Sequence, residues 1–278
     1  MPTSPDEVHY YGNSPYQVIN CYTAPSAGSP AVLMAPAAGF GSGVGNQNSL
    51  NTQANQLRNQ GCAVFVCNYR GDSAPPSPVP AFPMEVDDYT AAALWMQKHS
   101  GAFNGSTDGK IHLMGGSAAG TLAALTHARL TEMGIPVASV QMISSNTDWW
   151  TAIAWYRSLL GGPNNSIGVN HLGNISNAYG YDTSTMLALI DAGTLTAASF
   201  ADWSPAQRCT RKAADTWWQV FQGATDLEIP LQQPYIMHQA LVDVGCNDTL
   251  TIIDASAHGY NLWSAVYPAI ARFARAAA

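Results

Sequence analysis

The chain has 278 residues, 47% hydrophobic and only 10% charged, and its eleven Lys and Arg face eighteen Asp and Glu for a net charge of −7. That composition excludes wholesale disorder and leaves enough apolar surface for a large core. It also argues against a nucleic-acid surface, which needs clustered cations to displace counterions, and the one adjacent pair, Arg211-Lys212, reads as a solvated helix end. No stretch approaches the roughly 18 consecutive apolar residues of a membrane-spanning helix. The polar, acidic start (Met1 to Glu7) lacks the basic and apolar regions of a secretory signal, so the cytoplasm is the expected compartment. The triplets opened by Asn174 and Asn247 fit a glycosylation pattern and keep a secreted protein with a trimmed signal as the alternative. The five cysteines are scattered without CxxC spacing, and Cys62 and Cys67, at the ends of one apolar run, read as buried thiols.

In chain order, short β-rich apolar runs alternate with helical patterns, which predicts a mostly parallel sheet covered on both faces. Residues 30–38 (PAVLMAPAA) read as a buried strand ending in a small-residue loop, 38–43. A polar helix over 49–59 ends at Gly61, and 62–69 (CAVFVCNY) is apolar enough to be buried on both faces. A Pro-rich loop, 74–83, leads into a helix over 84–99, whose first turn carries Glu85, Asp87 and Asp88 where the helix dipole favours them. Strand 110–114, helix 118–133, strand 137–143, strand 216–221, helix 235–244, strand 249–254 and a last helix from Trp263 complete the alternation. The segment 149–211 breaks it, with a Gly- and Asn-rich stretch and one helix over 183–192, and reads as an insertion forming a partial lid on a single domain spanning 1–278.

The chemistry concentrates at Gly115-Gly116-Ser117-Ala118-Ala119-Gly120, where a strand turns sharply into a helix with a serine at the corner. Such a turn needs small residues two before and two after the serine, because strand and helix approach closely there; Gly115 and Ala119 meet this. The Ala118 amide then stands at a helix N-terminus, able to donate to an oxyanion. A nucleophilic serine needs a base, and the base needs an orienting carboxylate. Asp226 follows one later strand and His258 the next, giving the order Ser, acid, His, each on its own loop. Asp254 and Glu228 are substitute carboxylates, and His112, inside a strand, reads as a core histidine. The remaining histidines form no HxxxH or HxH set, so no metal is expected, and 39–43 lacks the spacing of a nucleotide loop.

These motifs resemble the α/β-hydrolase superfamily, within it the carboxylesterase branch of hormone-sensitive-lipase-like and arylformamidase-like esterases. Residues 115–125 are similar to the branch's Gly-x-Ser-Ala-Gly-Gly elbow, and Gly223-Ala-Thr-Asp226-Leu-Glu-Ile-Pro230 to its acid loop. Residues 11–22 are similar to its N-terminal strand pair, Asn68-Tyr69-Arg70 to its Asp-Tyr-Arg stretch, and Ser204-Pro205 to its Ser-Pro. The resemblance implies an α/β-hydrolase fold and a serine esterase with Ser117, His258 and Asp226 as triad, and no cofactor. The branch carries His-Gly-Gly-Gly in its oxyanion loop, whereas this chain has Pro36-Ala37-Ala38-Gly39-Phe40. The backbone amides of Ala38, Gly39 and Ala118 are the expected donors. Phe40 and the aromatics Trp149, Trp150, Trp155 and Tyr179 are the expected pocket, taking a small to medium neutral ester. An acyltransferase on the same triad and a non-catalytic ligand-binding protein are the rival readings, and oligomeric state is open.

Overall fold

The computed structural model describes residues 4–37, 39–40, 46–71, 81–209 and 215–277, with the side chains of 81 and 277 left aside. The parts of the small-residue loop at 38 and 41–43, the Pro-rich stretch 74–80 and the pair Arg211-Lys212 lie outside the described residues.

One eight-stranded sheet runs through the molecule, made of β1 (Glu7–Tyr10), β2 (Val18–Tyr22), β3 (Ala31–Ala35), β4 (Ala63–Cys67), β5 (Ile111–Gly116), β6 (Val137–Ile143), β7 (Trp217–Gly223) and β8 (Asn247–Ile253). Their order is β1-β2-β4-β3-β5-β6-β7-β8. The first two strands are antiparallel to their neighbours, and all pairings from β4 to β8 are parallel. This is the α/β-hydrolase arrangement. The N-terminal pair was expected within 11–22; its outer strand forms earlier, at Glu7–Tyr10, and residues 11–17 make the turn between the two.

The helices are α1 (Asn51–Asn59), α2 (Ala81–His99), α3 (Ala118–Glu132), α4 (Trp149–Ser158), α5 (Asn165–Ala178), α6 (Thr183–Asp191), α7 (Ala197–Phe200), α8 (Pro205–Arg208), α9 (Gln232–Val244) and α10 (Trp263–Ala277). Alternate residues of the central strands feed two cores, as a pleat buried on both faces requires. Leu33, Phe65, Cys67 and Leu113 join α2, α3 and the insertion on one face. Val32, Met34, Val64, Val66 and Met114 join α1 and α10 on the other. Among the described residues the segment between β6 and β7 holds five α-helices, α4 to α8. The Gly- and Asn-rich stretch that propensity marks as irregular is α5, because Leu172, Ile175 and Ala178 on one of its faces pack into the first core.

Candidate active site

Ser117 stands between β5 and α3 with φ 54° and ψ −128°, a backbone region that a residue with a side chain holds only when its surroundings enforce it. Its amide is anchored to the Ile143 carbonyl at 2.8 Å. The enforcement is steric. A methyl group on Gly115 would overlap the Ala119 carbonyl, and one on Gly120 would overlap the Ser145 hydroxyl. The tight position on the helix side is thus Gly120, and Ala119, expected to play that part, keeps its methyl in a fully buried site. Ala118 opens α3, so its amide is one of the helix's unpartnered N-terminal donors. Of the expected oxyanion donors, Gly39 is present with φ 59°, whereas Ala38 lies outside the described residues.

His258 follows β8, and Asp226 follows β7. His258 Nδ1 meets Asp226 Oδ2 at 2.9 Å, with the aspartate side chain fully buried and the histidine 16% exposed. The other Asp226 oxygen accepts the amides of Glu228 (2.8 Å) and Ile229 (3.2 Å), and Gln222 Nε2 donates to Oδ2 at 3.1 Å. Burial pushes the Asp226 carboxyl up, but the hydrogen bond and charge of His258 and the two amides outweigh it, holding the group below the usual carboxylate range. An ionised Asp226 fixes the proton on Nδ1 and leaves Nε2 free to accept one. Asp254, the substitute carboxylate, is not a partner of His258. Glu228 is: its Oε2 lies 3.8 Å from Nε2. Among the described residues the Ser117 hydroxyl makes no hydrogen bond to His258, but the two side chains share one cavity, and Gly259 closes on Ser117 with its Cβ position 3.6 Å from the serine Cβ.

That cavity measures about 580 Å³. Ser117, His258, Asp226, Gly39 and Ala37 form its floor, with Leu227, Glu228 and Ser256 from the neighbouring loops, and α5 supplies Ile167, Asn170, His171 and Asn174. The α5 residues recur at i, i+3, i+4 and i+7, one face of a helix. Sequence reasoning missed this wall, since the only signal was that spacing inside a segment of poor helix formers. His171 lies flat on Tyr156 (centroids 4.6 Å, planes 5° apart) and faces Glu228 at 3.6 Å. Burial holds the His171 imidazole below its ordinary range, against the pull of Glu228.

None of the five expected pocket aromatics is among the described residues lining this cavity. Phe40 and Trp149 are buried edge-on to each other at 5.4 Å, and both pack on Phe82. Tyr179 packs on Phe82 and Phe200, Trp150 on Phe200, and Trp155 on Tyr156. The aromatic payload was legible, but its destination was the first core, where large rings bury the most area. Among the described residues no group of three or more His, Cys, Asp or Glu is placed to hold a metal.

A family model described as BD-FAE matches residues 20–241. No curated protein sequence matches the chain. Solved structures do. A lipase/esterase from Lactobacillus plantarum is 17% identical with a TM-score of 0.64, over 95% of this chain and 94% of that one. An acetyl ester-xyloside bifunctional hydrolase from Caldicellulosiruptor lactoaceticus is 15% identical with a TM-score of 0.69, over 97% and 96%. A butyrate-bound thermophilic esterase from Thermogutta terrifontis is 18% identical with a TM-score of 0.67, over 98% and 94%. At such identities the likeness is one of fold.

Proposed function

We propose that this chain, which belongs to the BD-FAE family and has the α/β-hydrolase fold, is a serine hydrolase of small to medium neutral carboxylic esters. The observation that carries the reading is the Asp226–His258 hydrogen bond at 2.9 Å beside a serine held at positive φ in the same cavity. A structural serine has no need of that backbone, and a structural histidine has no need of a fully buried carboxylate. The cavity has no Lys or Arg in its described lining, which speaks against an anionic substrate.

In this reading Ser117 Oγ attacks the ester carbonyl carbon, its proton passes to His258 Nε2, and the carbonyl π pair moves onto oxygen. The tetrahedral intermediate collapses, the C–O bond to the alcohol breaks, and His258 gives its proton to the departing oxygen. Water, deprotonated by the same imidazole, then cleaves the acyl-enzyme. Asp226 holds the tautomer and stabilises the imidazolium. The amides of Ala118 and Gly39 are the described backbone donors for the oxyanion, and 149–211 is the partial lid that shapes the cavity.

The test is hydrolysis of nitrophenyl esters of graded acyl length by the wild-type chain and by Ser117→Ala. Turnover that vanishes in the variant supports the esterase, and the length profile sizes the cavity. A burst that stalls at a Ser117 acyl-enzyme would shift the assignment to acyl transfer, and no Ser117-dependent reaction would sink it.

A further inference from the structure

The oxyanion loop departs from the glycine-rich pattern, and the structure brings a side chain to that place. Gly39 takes φ 59°, and a Cβ built on it would stand 2.9 Å from Asn174 Nδ2. The carboxamide nitrogen of a residue far along the chain therefore occupies the space a side chain at position 39 would fill. Asn174, Gly39, Ala37 and Ser117 border the same cavity. Three features aim Asn174 there. It lies on the α5 face that carries Ile167, Asn170 and His171. One turn before it, His171 is clamped between the Tyr156 ring and the Glu228 carboxylate. Leu172, Ile175 and Ala178 of the same helix are sunk in the core and fix its rotation. Among the described residues the Asn174 carboxamide has no hydrogen-bond partner, so both its N–H groups are available to the cavity.

We propose that Asn174 is a catalytic residue, a side-chain member of the oxyanion hole that donates Nδ2–H to the oxygen of the tetrahedral intermediates. The inference rests on the esterase reading of Ser117. When Ser117 Oγ bonds to the carbonyl carbon and the π pair moves to oxygen, the serine proton goes to His258, and Asn174 transfers none; it supplies a fixed dipole where the negative charge develops. A carboxamide from the stretch between β6 and β7 thereby adds a side-chain donor to the backbone amides of Gly39 and Ala118. It also accounts for the glycine at 39, since any side chain there would displace the donor.

The experiment uses the full chain as wild type, Asn174→Ala, Asn174→Asp and Ser117→Ala. Each is assayed for nitrophenyl acetate hydrolysis and for the rate at which a nitrophenyl alkylphosphonate labels Ser117, followed by intact mass. Loss of one such donor lowers kcat by about 10²–10³-fold. That loss is expected in both Asn174 variants, with KM little changed and labelling slowed in parallel, while the thermal midpoint stays near that of the wild type. The aspartate variant keeps the shape and removes the donor, so it separates donation from packing. Wild-type kcat and labelling rate retained in Asn174→Ala, or a loss confined to KM, would overturn the proposal and leave the esterase standing. A wild-type chain that neither turns over ester nor is labelled at Ser117 would overturn both.

Discussion

At Asp226 two opposing effects meet, burial that favours the neutral acid and hydrogen bonds that favour the anion, and the second wins. With its folded pKa held below the unfolded value, the carboxylate stabilises the fold above the usual carboxylate range, and that contribution is lost as pH falls through the lowered pKa. Across mildly acidic conditions Asp226 therefore stays ionised. Asp226→Asn should lower kcat by about 10⁴-fold, because a carboxamide reverses the donor and acceptor roles at His258 Nδ1; kcat retained within tenfold would mean that another group orients the ring. Ser117, Asp226 and His258 could be singled out as a candidate triad because each sits in a short local motif. Glu228, two residues from Asp226, was weighed as a substitute acid, and its position on the Nε2 side of His258 is set by the loop fold and not by any spacing. Asn174 was readable only as the start of a glycosylation triplet, since its neighbours at Gly39 and Ser117 come from distant stretches of chain.

At the scale of the element, α5 shows where propensity and packing part. Its fourteen residues NSIGVNHLGNISNA hold two glycines and four asparagines, residues that favour turns over helices, and the sequence therefore hid it. The two glycines have different surroundings. A Cβ on Gly168 would lie 2.6 Å from the Tyr156 carbonyl oxygen, so α4 and α5 meet there through a missing side chain. Nothing lies within 4 Å of a Cβ on Gly173. Gly173→Ala should raise stability by roughly 0.5–1 kcal/mol by reducing the backbone freedom of the unfolded chain. Gly168→Ala should lower it by roughly 1–3 kcal/mol through overpacking. Urea midpoints of the two variants test this, and equal shifts would refute the packing of α4 on α5. The strands, by contrast, were plain in the sequence, with ends displaced by a residue or a few, because runs such as AVFVC have no other buried use.

For the whole molecule, the two-faced burial of the sheet places imidazoles where charge is costly. Burial pushes His112, which bonds Ser139 Oγ at 2.7 Å, down to about 4, and it does the same to His127, which bonds Thr216 Oγ1 at 3.0 Å. Both folded pKa values lie below the unfolded value of about 6.5. Their contribution is therefore present in full above about 6.5 and is lost progressively as pH falls to about 4, by up to about 3 kcal/mol for each ring. The thermal midpoint should drop over that window, and less steeply in His127→Gln; a midpoint flat from 6.5 to 4 would contradict the burial. The fold class and the two-faced sheet followed from the alternation of elements, whereas the insertion's internal path did not, because its helices are ordered by contacts with α2, α3 and the acid loop and not by their own periodicity. That path leaves the sheet after β6 and rejoins it at β7, whose ladder pairs Ser139 with Trp217 through Ile143 with Phe221. The serine, histidine and aspartate on one hand, and the α5 wall of their cavity on the other, thus come from separate stretches of polypeptide. Exchanging the stretch between β6 and β7 while the serine, histidine and aspartate stay on the loops after β5, β8 and β7 would therefore also exchange the donor proposed at Asn174.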